Sequence, residues 1–150
     1  IDSGYFTDSG FPDMVLSPVC GMSKLRLDDS VDAYERKLYQ KPLDVSFFST
    51  NWVKLITKLL ERHGCCPGDV DYYFFSQYAK TQVQQTAEML GVSFDERFVY
   101  IGDIYGYTGT TSPVVAYHEA VVKGILKPGQ KYIFCSVGCG YQMTAVLYQS

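Results

Sequence analysis

The stretch Tyr100–Ala120, YIGDIYGYTGTTSPVVAYHEA, decides how the chain is read. A short apolar run ends at Ile101, a connection rich in Gly, Thr and Ser follows, and a helix opens at Ser112. Serine can cap free helix N–H groups, and Pro113 in the first turn gives up an N–H that has no intrahelical partner. The helix runs through VVAYHEAVVKG and stops at Gly124. Strand, small-residue loop and helix make a βα step, and the neighbouring sequence repeats it. VDYYFF (70–75) is short and aromatic-rich, as a strand would be. Val83, Ala87 and Leu90 mark a helix over 79–90, closed by Gly91. RFVYI (97–101) is the next strand. KPGQ then turns the chain into KYIFCSV, and after GCG the alternating YQMTAVLY closes the domain.

Upstream, Phe48, Trp52, Leu55, Ile56 and Leu59 share one helix face, with Gly64 as the C′ residue and Pro67 just beyond. Residues 1–42 carry turn signals (SGYFTDSGFPD, SPVCG) and are expected to be irregular. Within them, KLRLDDSVDAYERKLY has mixed charge and no sustained period. It is read as an exposed excursion containing at most a helical turn. The pattern predicts an α/β layer fold: a mixed five-stranded sheet with parallel βα units, a C-terminal antiparallel hairpin, and helices covering the sheet.

Composition narrows the function. The 150 residues suffice for one full core. Thirteen Lys and Arg against sixteen Asp and Glu give a net charge of -3. That balance supplies no basic surface for nucleic acid. No apolar run approaches the ~20 residues of a membrane span. The opening IDSGYF lacks a basic n-region and is not read as a signal peptide, and the chain is expected to be part of something longer. Cys20, Cys65, Cys66, Cys135 and Cys139 form no CxxC pair, so neither a zinc site nor a disulfide framework is expected, and a cytoplasmic location is. Cys135 reads as a small buried hydrophobe. No metal or organic cofactor is called for.

In a sheet of this kind, ligand-binding groups gather beyond the carboxyl ends of the parallel strands. The candidates are Ser76 and Gln77 after the first strand, Gly102–Ser112 after the second (with Gly106 and Thr108), and Ser136–Gly140 after the third (with Gly138 and Gly140). Glycines there let backbone approach a ligand, and their N–H groups can hold an oxyanion. The competing reading is that tight βα turns need small residues anyway.

From Leu43 to Tyr148 the chain resembles the C-terminal half of a β-ketoacyl-acyl-carrier-protein synthase III, a thiolase-fold condensing enzyme. ERHGCCPGDVDYYFFSQYAKTQVQQTAEMLGV is similar to the family's GxxPxDID turn and the strand entering its His-Gln-Ala-Asn motif. DIYGYTGTTSPVVAYHEAVVKGILKPGQ resembles its YGNTSAASIPLALDEA segment and GxIKPGD turn. SVGCGYQMTAVLY stands where the family has its GFGAGLTWGA loop and last strand. The resemblance implies a domain over 43–150, with 1–42 supplying the end of the N-terminal half and a linking excursion. It further implies a nucleophilic cysteine in the missing half, a histidine and an asparagine from this half, and an acyl-CoA or acyl carrier protein thioester as partner. Homo- or heterodimers are implied as well.

In register, Ser76 stands at the histidine and Tyr107 at the asparagine. Gln77 is retained, and Ala79 replaces the asparagine that closes the first motif. Both replacements can donate a hydrogen bond, yet a serine hydroxyl is a poor proton acceptor near neutral pH. Neither His63, at a helix end, nor His118, in mid-helix, is positioned to substitute. Cys139, in the GCG loop, has no histidine neighbour in the sequence and is not read as the nucleophile. The resemblance therefore leaves two classes of function. One is a divergent acyltransferase with Ser76 and Tyr107 as orienting donors. The other is a catalytically silent ketosynthase-like subunit that completes a heterodimer or binds acyl chains.

Overall fold

The computed structural model of the protein describes residues 1–10, 12–21, 30–42, 44–138 and 141–150. Its main sheet is built on β4 (Tyr72–Phe75), β5 (Lys131–Gly138) and β6 (Gln142–Gln149). β4 runs parallel to β5, with Tyr72 opposite Tyr132, and β5 turns back into β6 as an antiparallel hairpin, with Gly138 opposite Gln142. The fourth strand is β1 (Asp2–Thr7), antiparallel to β6. A small ribbon of β2 (Val15–Leu16) and β3 (Tyr39–Gln40) lies apart from the sheet.

β1 corrects the expectation that residues 1–42 are irregular. Turn-forming residues dominate IDSGYFTDSG, but Asp2, Gly4 and Phe6 face inward while Ser3, Tyr5 and Thr7 alternate toward solvent. Gly4 is the inward residue where helix α1 (Phe47–Glu61) comes closest. A Cβ there would stand 3.0 Å from Leu55 Cδ1. Part of KLRLDDSVDAYERKLY lies outside the described residues, and of the remainder Ser30 and 32–39 are exposed and Val31 is half-buried.

RFVYI is the second correction. Ser93 caps a short helix α3 (Phe94–Arg97), its Oγ accepting the Glu96 N–H, so Arg97 is drawn into a helical turn. Only Phe98 makes a sheet contact, a single parallel bridge to Tyr73, with the Val99 N–H donating to the Tyr73 carbonyl at 3.3 Å. This fifth sheet position is rudimentary. The order across the sheet is residue 98, β4, β5, β6, β1.

Helices cover both faces, as the near-continuous apolar run of β4 requires. On one side, Trp52, Ile56, Leu59 and Leu60 of α1, with Val83 and Ala87 of α2 (Lys80–Leu90), pack on Tyr73, Phe75, Ile133, Met143 and Ala145. On the other, Ala116 and Ala120 of α5 (Ser112–Val122) meet Phe74 and Tyr132. Gly91 ends α2 in the left-handed region (φ 69°), as its place after Leu90 predicts. α5 departs in one detail. Thr111 occupies the cap position and Ser112 is already helical, its hydroxyl paired with Thr108 Oγ1 at 3.0 Å. Cys135 is buried as expected, and burial raises its thiol well above the ordinary value. No helix among the described residues is long and apolar enough to cross a membrane.

Asp2 fastens β1 to the end of α1. Its carboxylate accepts from His63 Nε2 at 3.0 Å and Arg62 Nη2 at 2.7 Å, while the same Arg62 nitrogen donates to the Ser3 carbonyl. The bonds from His63, then the Ser3 backbone N–H, then Arg62 hold the Asp2 carboxyl down to about 2 from 3.8. A depressed carboxyl stabilises the fold above its unfolded value, and that stability is lost as pH falls toward its folded value. Asp2→Asn is therefore expected to lower the melting temperature at pH 6 and to flatten its decline between pH 4 and pH 2, as thermal melts across that range will read.

Candidate functional site

Ser76 and Gln77 follow directly from the end of β4, where the Ser76 N–H donates to the Cys135 carbonyl at 2.7 Å. Both side chains are buried, Ser76 completely. Ser76 Oγ donates to the Tyr107 hydroxyl at 3.4 Å. Ser76 and Tyr107, the two positions singled out in the sequence, thus meet at one point.

Gln77 explains why. Its Nε2 donates to the Val99 carbonyl and its Oε1 accepts the Ile101 N–H, both at 2.8 Å. The side chain acts as a substitute strand partner, securing 99–101 beside β4 where regular pairing fails. From there the chain makes helix α4 (Gly102–Tyr105) and reverses at Gly106, whose φ of 67° with ψ of −162° is open only to glycine. That reversal delivers Tyr107 to Ser76. Gln77 was expected to touch substrate. Its amide instead holds the loop, and it does not line the neighbouring cavity.

Two further expectations shift in the same way. The Gly106 N–H donates to the Gly102 carbonyl, so it closes the α4 turn rather than facing a ligand. Thr108 Oγ1 is engaged with Ser112. Both residues shape the loop. Gly138, at the end of β5, does line the cavity, whereas Gly140 and Cys139 lie outside the described residues. His63 is bound to Asp2 and His118 is exposed on α5, as ordinary histidines. No cluster of metal-ligating side chains occurs among the described residues.

The cavity has a volume of about 320 Å³. Phe48, Tyr78, Tyr107, Val137 and Tyr141 give it apolar walls, and Met14, Val15 and Gln40 border it from the segment read as an excursion. Gln40 Nε2 reaches the Tyr78 hydroxyl at 3.4 Å, which draws the β2–β3 ribbon over the site. None of the described lining residues carries a carboxylate, imidazole, ammonium or guanidinium group. Tyr141 holds a left-handed φ of 58°, its ring edge-on to Phe47 at 4.3 Å. Burial, then Asp44 and Asp8, raise its phenol above the ordinary value and keep it protonated. Met14, Val15 and Gln40 gave no signal in the sequence, because their place at the cavity depends on a long-range return of the chain. Tyr141 read only as the first residue of the closing strand.

Chemically the site offers donors and apolar walls. Ser76 uses its hydrogen on Tyr107, so the phenolic hydrogen of Tyr107 is the one left to polarise a carbonyl oxygen. No base stands beside either hydroxyl among the described lining residues.

A four-stranded mixed sheet with one rudimentary edge position, helices on both faces and a loop-built site at the strand ends defines a thiolase-like half. The chain superposes over 99% of its length on 3-oxoacyl-(acyl carrier protein) synthase III of Pseudomonas aeruginosa PAO1, with TM-score 0.83, 17% identity and 45% of that chain covered. The corresponding enzyme of Thermus thermophilus gives TM-score 0.80 and 22% identity over 99% of this chain and 45% of the other. Residues 60–150 match the family of 3-oxoacyl-[acyl-carrier-protein (ACP)] synthase III C-terminal domains, and the chain belongs to it. Among curated relatives, the β-ketoacyl-[acyl-carrier-protein] synthase III of Oleidesulfovibrio alaskensis is 30% identical over 97 residues, 65% of this chain and 29% of that protein. That of Desulfotalea psychrophila is 25% identical over 147 residues, 97% of this chain and 44% of the relative. The chain thus spans less than half the length of these relatives.

Replacing Gln77 with leucine leaves the Val99 carbonyl and the buried Ile101 N–H without partners. At about 1–3 kcal/mol for each such group, Gln77→Leu is expected to cost roughly 2–6 kcal/mol in urea unfolding. A loss under about 0.5 kcal/mol would show that the bridge does not secure the loop.

Proposed function

We propose that the protein carrying this chain is a divergent acyltransferase of the 3-oxoacyl-ACP synthase III type. It acts on acyl-CoA or acyl carrier protein thioesters in fatty acid or secondary-metabolite biosynthesis. The observation that carries this reading is the Ser76–Tyr107 pair beside an apolar cavity. The Tyr107 hydroxyl, backed by the buried Ser76 hydroxyl, can orient a thioester carbonyl and take up charge that builds on its oxygen during acyl transfer. The acyl carbon forms a bond to an oxygen or nitrogen nucleophile and breaks its bond to sulfur, while the nucleophile's proton goes to the departing thiolate. A cysteine from the preceding half serves as the relay nucleophile in this scheme. Decarboxylative condensation fits less well, since no basic side chain among the described lining residues would receive a carboxylate.

A second reading has one observation in its favour. Tyr78 and Tyr107 stand edge to face at 5.4 Å and narrow the cavity, as they would in a silent subunit that binds acyl chains or completes a heterodimer. In either case the division near residue 42 is kept, with 1–42 as the end of the preceding half and a linking excursion, docked here through β1. The preceding half is the natural cover for α5, whose outer face exposes Val114 (63%), Val121 (50%) and Val122 (67%). We place the parent protein in the cytoplasm as a homo- or heterodimer.

Incubating the full-length protein with acyl-CoA and acyl carrier protein thioesters is expected to give an adduct one acyl mass heavier, seen by intact-mass spectrometry, without carbon dioxide release from malonyl thioesters. Absence of any adduct, with an apolar residue at the nucleophile position of the preceding half, would establish the silent subunit instead. The 150-residue chain alone is expected to self-associate through the open face of α5 in sedimentation velocity. A sharp monomer boundary with a high melting temperature contradicts the idea that this face needs a cover.

A further inference from the structure

The cavity beside Ser76 and Tyr107 is ringed in a specific way. Two aromatic pairs line it, and each pair is set nearly perpendicular. Tyr78 and Tyr107 have ring centroids 5.4 Å apart at 90°, and Phe48 and Tyr141 have centroids 6.1 Å apart at 80°. Such pairs offer ring faces and ring edges together, the arrangement into which a further aromatic ring can stack or insert edge-on.

The two tyrosines nearest the donor pair are 42% and 45% exposed, for Tyr78 and Tyr107 respectively. Side chains so open to water would ordinarily sample several orientations. Here each is tethered at its hydroxyl, Tyr78 by Gln40 Nε2 and Tyr107 by Ser76 Oγ, both at 3.4 Å. The ring wall therefore stands in place before anything binds, which lowers the ordering cost for a ligand that uses it. A flexible alkyl chain draws only undirected dispersion from these walls and loses rotamer freedom on entry. A planar ring has little such freedom to lose.

Charge narrows the occupant further. With no ionic side chain among the described lining residues, a carboxylate or ammonium at the end of the acyl group would be desolvated without a partner. We propose that the acyl group received by this cavity is an uncharged aryl-acyl group, with its planar ring between the tyrosine pair and Phe48. This rests on the reading of the site as a thioester acyl site, and it makes Tyr78 the residue that selects the acyl class. Tyr107 holds the carbonyl end and Tyr78 supplies the facing ring.

The test uses the full-length protein and hydrolysis-resistant pantetheine amides carrying phenylacetyl, cyclohexylacetyl, octanoyl or succinyl groups, titrated by calorimetry. Phenylacetyl and cyclohexylacetyl match in size and differ in aromaticity. Phenylacetyl is expected to bind about five- to tenfold more tightly than cyclohexylacetyl, within the roughly two- to twelvefold that an aromatic pair supports, and succinyl most weakly of the four. Tyr78→Leu is expected to bring phenylacetyl and cyclohexylacetyl to within about twofold while octanoyl still binds. Equal binding of the two rings to the unaltered protein, or a preference that survives Tyr78→Leu, overturns the aryl inference and leaves the acyl site intact. Failure of all four amides to bind removes the acyl-site reading and this inference with it.

Discussion

A single amide side chain holds the working end of this domain together. β4 lacks a proper neighbour on its outer edge, because 94–97 coil into a helical turn and leave only Phe98 to pair with Tyr73. Gln77 fills the gap from within β4's own continuation, accepting from Ile101 and donating to Val99 as a strand would. The backbone polar groups of a buried segment must be paired somewhere, and here a side chain does it. Everything that makes the site, from the α4 turn to the Gly106 reversal and the arrival of Tyr107 beside Ser76, follows from where that bridge anchors the chain.

The same arrangement explains how the framework accommodates hydroxyl side chains at residues 76 and 107. The sheet and its two helical layers are held by Trp52, Ile56, Phe75 and Ile133 on one face and by Phe74, Ala116 and Tyr132 on the other, none of which depends on the identity of residues 76 and 107. Two hydroxyl side chains fit into positions whose backbone is fixed by Gln77 and Gly106. The chemistry on offer is that of a serine and a phenol, and the cavity beside Tyr107 is walled by rings with no ionic side chain among its described lining residues.

The cavity also joins parts of the chain that are remote in sequence. Met14, Val15 and Gln40 arrive from the β2–β3 ribbon, Phe48 from the start of α1, Tyr78 from beyond β4, and Tyr141 from the β5–β6 turn. Ring packing and the hydroxyl tethers, Gln40 to Tyr78 and Ser76 to Tyr107, together hold the wall. A wall of this construction presents ring faces and edges to the cavity, with the Tyr107 hydroxyl as the polar group beside Ser76.

Much of the architecture was legible in the residues alone. The 70–75 and 131–137 strands, the hairpin, the helices ending at Gly64, Gly91 and Gly124, and the coincidence of Ser76 with Tyr107 follow from local periodicity, turn chemistry and family register, which are written residue by residue. The β1 strand was hidden because its glycine, serine and aspartate read as turn formers, and only pairing with β6 makes them a strand. RFVYI read as a strand because its propensity is that of one, and the Ser93 cap overrode it. The role of Gln77, the return of Gln40 to Tyr78, and the perpendicular ring pairs were decided by tertiary structure. Each is a contact between segments whose separation no local pattern records.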